Sequence, residues 1–162
     1  MAVENLTGTV RTTSKQHGSP GMGCDLKTLI VTVEVTAAAS ATSTYVIGRL
    51  PSNSRITDLA KLYFDDLAST GSPTLDIGIR YKNSAGATVT DDDAIKVDVD
   101  AATAVAAGTV IIGDIANYGK RLWELAGLSE DPVANCDLLL TIKDADTNTG
   151  GTVTAAWHYF VD

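Results

Sequence analysis

The chain has 162 residues, a formal net charge of −8, 44% hydrophobic residues and 6% aromatic ones. That length suits one domain able to bury a core without disulfides or a metal. The acidic balance, with no more than two basic residues adjacent anywhere, excludes the cation clusters on which binding to a nucleic-acid backbone rests.

Ala and Thr, 21 of each, keep the apolar content small and β-compatible, which favours thin sandwich layers over a large ligand cavity. No window approaches the ~20 apolar residues of a membrane span, and the N-terminus lacks the apolar core of a signal peptide. The expectation is therefore a soluble protein made in the cytosol, with no membrane and no nucleic-acid partner. Cys24 and Cys136 are read as two reduced thiols.

Residues 1–25 are rich in Thr, Ser and Gly, with Val3, Leu6, Val10 and Met22 as their apolar anchors. They read as an extended N-terminal arm whose partner-interface residues are those four; on composition alone a disordered leader is the alternative. Residues 1–27 carry a net charge of +1 and the remainder −9, compatible with an arm that docks on an acidic neighbour. Residues 26–162 read as one β-sandwich domain.

From Leu26 to Val35, Leu29, Val31, Val33 and Val35 alternate with Thr28, Ile30, Thr32 and Glu34, which predicts a strand. The Ala-Ser-Thr segment that follows reads as a loop. Tyr45 to Leu50, Arg55 to Leu67 and Thr74 to Tyr81 then read as three consecutive strands of an antiparallel unit, because short turns separate them and sequential strands usually pair. The middle one is ambiguous in period: Ile56, Leu59, Tyr63 and Leu67 fit a helical stripe, while Ile56, Ala60, Leu62 and Phe64 nearly fit a strand face.

Asp91-Asp92-Asp93 reads as a solvated loop. Within residues 94–112, Ile95, Val97 and Val99 alternate, and the Ala-rich stretch after them predicts a short helix or an irregular crossing. Tyr118 to Leu128 carries a helical pattern that Gly127 and Pro132 terminate, with Trp123 expected to plug one end of the core. Cys136 to Ile142 and Thr152 to Val161 read as a closing hairpin around the polar loop 143–151.

No catalytic constellation emerges. His17 and His158, the two histidines, belong to no helical ligand pair, and His158 reads as a surface or edge-strand imidazole. The loop from Asp144 through Asp146 and Asn148 to Gly150 sets oxygens at alternate positions. Its glycine comes one residue late for a calcium loop, and Ala155 stands where a bidentate Glu is needed. Gly113 to Lys120 fails as a phosphate loop in spacing, with Arg121 in place of the magnesium-binding hydroxyl. Gly21-Met22-Gly23 lacks the strand and third glycine of a dinucleotide site. Neither enzyme activity nor a cofactor nor a metal is expected, and the Asn5-Leu6-Thr7 sequon reads as a chance match.

The block Ile47-Gly48-Arg49-Leu50-Pro51, Arg55-Ile56-Thr57-Asp58 and Leu75-Asp76-Ile77-Gly78-Ile79 resembles small virion structural proteins of tailed bacteriophages. So does Gly119-Lys120-Arg121-Leu122-Trp123-Glu124-Leu125-Ala126-Gly127-Leu128 followed by Asp131-Pro132. The likeness spans roughly residues 27–162. It implies a mainly β fold, an antiparallel β-sandwich of jelly-roll type with one short helix. It also implies a place on the capsid exterior as a decoration or cement protein that is bound to the major capsid protein, forms a trimer or dimer and assembles in the host cytoplasm. A tail or neck component is the first alternative, and a receptor- or carbohydrate-binding head-fibre module the second.

Overall fold

The computed structural model describes residues 5–7, 9–11, 26–83 and 85–162. In chain order the elements are β1 (Asn5–Thr7), β2 (Thr9–Arg11), β3 (Lys27–Val35), β4 (Thr44–Pro51), β5 (Ser54–Ile56), β6 (Lys61–Phe64), β7 (Thr74–Lys82), β8 (Thr88–Asp100), β9 (Val105–Val110), α1 (Leu122–Leu125), β10 (Asn135–Lys143) and β11 (Gly151–Val161). They form two sheets. Sheet A runs β1-β4-β10-β7-β8; sheet B runs β2-β3-β11-β6-β9, with β5 added alongside β11.

Setting β1, β2 and β5 aside, eight strands remain, and β3 pairs with β11, β4 with β10, β6 with β9 and β7 with β8, all antiparallel. This is one long hairpin, closed at the β7–β8 turn and rolled so that alternate pairs fall in opposite sheets. It is a jelly roll. Alternation builds its core: Leu29, Val31, Val33 and Val35 face inward from β3, Leu75, Ile77, Ile79 and Tyr81 from β7, and Leu138, Leu140 and Ile142 from β10.

The rolled path corrects several sequence expectations. The segments around Tyr45, Arg55 and Thr74 do not pair with one another, since β4 and β7 lie in sheet A and β5 and β6 in sheet B. Arg55 to Leu67 is two short strands broken by a turn at residues 57–60, which is why neither period fitted it. Likewise β10 and β11 lie in opposite sheets rather than forming a hairpin. The Ala-rich stretch is a turn and then β9, not a helix; Ala106, Ala107 and the left-handed Gly108 (φ 76°) bulge past Tyr63. The acidic run is part of β8, and His158 sits in β11, inside sheet B, where Thr28 Oγ1 lies 3.1 Å from its Nδ1.

Two bulges shape sheet A. Between Leu138 and Leu139 the β4 register slips, so Ile47 and Gly48 both crowd the interior side, where Trp157 donates its indole N–H to the Ile47 carbonyl at 2.6 Å. A Cβ on Gly48 would sit 2.9 Å from that indole nitrogen. Trp157 is the fully buried tryptophan, whereas α1 buries Leu122 and leaves Trp123, expected to plug one end of the core, only half-buried. In β8 the pairs Ile77–Lys96 and Ile79–Asp91 leave three extra residues opposite Gly78, and the Asp91–Asp92 backbone arches over that glycine.

Candidate interaction surface

The jelly roll gathers its loops at two ends, and each end is tied by side chains far apart in sequence. At one end lie the β3–β4, β6–β7, β8–β9 and β10–β11 connections. Buried Thr147 donates to the carbonyls of Thr36 (2.8 Å) and Ala39 (3.2 Å), and Asp146 accepts from the Ala41 N–H at 2.7 Å. Asn148 donates to the Thr70 carbonyl and accepts from the Ser69 N–H, while Asp144 accepts from Thr74 Oγ1 at 2.6 Å. The oxygens that resembled calcium ligands thus face neighbouring loops. They are a clasp.

The opposite end carries Arg55 and the segment from Gly119 to Pro132. Arg55 bridges to Asp162 at 2.9 Å and donates to the Gly119 carbonyl; Arg121 reaches the same carboxylate at 2.8 Å. The hydrogen bond from Arg55, with both guanidinium charges, holds the Asp162 carboxyl below its ordinary range. Ser52 donates to Asp131, which also caps the Val133 N–H, and Glu124 accepts from the Arg121 N–H at 2.7 Å to start α1. These residues are therefore joints between distant segments.

Beside this knot several apolar side chains are exposed among charged ones. Ile115 is 86% exposed and Tyr118 54%, both on the β9–α1 connection, and Val97 is 49% exposed. Ile95, Val97, Ile111 and Ile115 line a broad groove of about 770 Å³ there. Leu59, on the β5–β6 turn, is 54% exposed.

The outer face of sheet A is charged instead. Asp137 of β10 sits between Arg49 Nε at 2.6 Å and Arg80 Nη2 at 2.9 Å. Burial pushes its carboxyl up, but the hydrogen bonds from Arg49 and Arg80 outweigh that and hold it below the usual range. Further along, Lys143 pairs with Asp92 at 2.8 Å and lies 3.8 Å from Asp76. Burial raises the Asp76 carboxyl, although it accepts the Asp98 N–H at 2.9 Å. Asp91, Asp92 and Asp93 bring three carboxylates within 4.8 Å of one another.

Of the four arm residues, Leu6 stands in register with Tyr45 of β4 and Val10 with Val31 of β3, so β1 and β2 add to the edges of both sheets on one side. Val3 and Met22, like His17 and Cys24, lie outside the described residues. Cys136 is a buried free thiol that burial and the nearby Asp131 and Asp137 push up to about 11. Among the described residues no helix is long and apolar enough to cross a membrane.

A solved structure described as the capsid of Ralstonia phage GP4 contains a chain that matches with a TM-score of 0.63 over 91% of this chain and 92% of that one, at 17% identity. The two share a fold. No family model matches the sequence, and no curated protein does. The β-sandwich of jelly-roll type expected from the sequence is thus also the architecture of a phage capsid chain. The Arg49–Asp137–Arg80 cluster was not singled out in the sequence, because its members lie on three strands and only the β4-β10-β7 order aligns them.

Proposed function

We propose that this chain is a structural protein of a tailed-phage virion, and that it decorates and stabilises the shell from outside by binding the major capsid protein. The observation that carries this is the near-complete mutual coverage with a chain of a phage capsid. The virion-like motifs in the sequence, which serve here as structural joints, support the same reading. Adhesion through surface is the activity: the exposed Ile115, Tyr118 and Val97 offer apolar contact, and residues 1–25 act as the docking arm, with Val3, Leu6, Val10 and Met22 as its anchors. A dimer or trimer around a local symmetry axis fits such a role.

A carbohydrate-binding module has less support. It needs aromatic rings exposed along a strand face, whereas Trp157, Tyr45 and Tyr81 are buried and Tyr118 stands on a connection.

The test is stoichiometry in purified particles. Several hundred copies, removable without disassembly of the shell, are expected of a decorating protein. A dozen or so copies would assign the chain to the neck or tail, and failure of shells to form without it would make it a shell subunit.

A further inference from the structure

We infer that the groove around Asp137 on the outer face of sheet A is a docking site for an acidic polypeptide segment, one whose Asp or Glu side chains reach Arg49, Arg80 and Lys82. The groove, about 340 Å³, is lined by these three cations together with Thr88, Asn135 and Asp137. Three cations against one carboxylate leave it positive by about two charges on a chain of net charge −8. Asp137 holds Arg49 through Nε and Arg80 through Nε and Nη2, so both planar guanidinium groups are oriented before a partner arrives. The Arg49 side chain is nonetheless 67% exposed. Lys82 has no carboxylate within ion-pair distance among the described residues. Asp137 takes the Nε side of both guanidinium groups, so a partner carboxylate meets their remaining Nη N–H donors as charge-assisted hydrogen bonds, and Thr88 and Asn135 add neutral hydrogen-bonding side chains.

Charge decides between partner classes. A nucleic-acid strand presents a phosphate at every step and needs a row of cations; here a carboxylate stands between the two arginines, and Glu130 and Asp131 line the adjoining groove, which shares Tyr81. A few carboxylates spaced along a peptide match the three cations and leave the acidic positions uncontacted, which an evenly charged strand does not. In the virion this segment belongs to a neighbouring shell protein, a step that rests on the function proposed above.

Two experiments separate the claims. Hexaglutamate titrated into the full chain, followed by NMR of the arginine side chains, is expected to bind saturably. Binding is expected to weaken about tenfold in the Arg49→Gln/Lys82→Gln variant and to vanish in ~0.5 M salt. Absence of binding, equal binding by the variant, or tighter binding of hexathymidylate would overturn the assignment, as would a groove-dependent self-association that excludes the peptide. On particles, a Lys82→Glu chain with unchanged melting temperature is expected at reduced occupancy; full occupancy would remove the shell partner. A wild-type chain missing from particles would instead sink the virion role and leave the peptide result standing.

Discussion

Gly78 shows how much one missing side chain carries. A Cβ there would lie 2.2 Å from the Asp91 carbonyl oxygen and 2.4 Å from the Asp92 Cα, closer than atoms can approach, so the β8 arch exists only over glycine. Gly78→Ala is expected to cost about 3 kcal/mol, read from the urea midpoint; an unchanged midpoint would mean that the arch moves freely. The charged cluster of Asp137, Arg49 and Arg80 sets an acid limit. Because Arg49 and Arg80 hold the Asp137 carboxyl below its unfolded value, its contribution is complete above the unfolded pKa of about 3.9 and is lost as pH falls through the lower folded value. Asp76, raised by burial, acts the other way, losing its contribution as pH rises from the unfolded value through the raised one. Asp137→Asn is therefore expected to flatten the decline in stability between about pH 5 and pH 2, and a variant that keeps the full wild-type slope would assign that decline elsewhere.

At the scale of elements, the connections do as much as the strands. Helix α1 has four residues, too few to hold itself; the Glu124 cap and buried Leu122 fix it against β5. In the clasp at the other end the Thr147 hydroxyl is the buried member, beside the ties made by Asp146, Asn148 and Asp144. Thr147→Val keeps the shape and removes the hydroxyl donor to the Thr36 and Ala39 carbonyls, while the Thr147 backbone N–H still reaches Ala39. An expected loss of about 1–2 kcal/mol follows, with faster amide exchange at residues 36–43 and 144–149. If exchange there is unaltered, backbone contacts alone close that end. Edge management belongs to this scale as well: β8 is bulged and acidic, β9 is bulged at Gly108, and β1 and β2 have three residues each, all devices that discourage pairing with stray strands.

For the whole molecule, the first and last strands of the rolled hairpin, β3 and β11, lie side by side in sheet B, so the body is closed by its own ends. The arm adds β1 and β2 outside that closure, along β4 and β3. Deleting residues 1–25 is thus expected to leave a folded 26–162 domain while abolishing incorporation into capsids. It is also expected to lower the melting temperature slightly, since two sheet edges lose a neighbour. A truncated chain that reaches normal occupancy on particles would refute the docking arm.

What the sequence determined by itself was local: which residues face inward along β3, β7 and β11, the turns at residues 51–54 and between β7 and β8, and that the layers are β-rich, whereas the turn at residues 57–60 went unread. Period-2 burial and turn chemistry are properties of neighbouring residues, and they survive without knowledge of the fold. Only the tertiary structure decided which strands pair, because a jelly roll joins strands through partners far apart in sequence, as at Thr28 and His158, 130 residues apart, and the short turns that suggested sequential pairing are crossings between sheets. The same reason hid the groove: Arg49, Asp137 and Arg80 become one cluster only when β10 is laid between β4 and β7, a placement set by the packing of the whole core rather than by any local pattern.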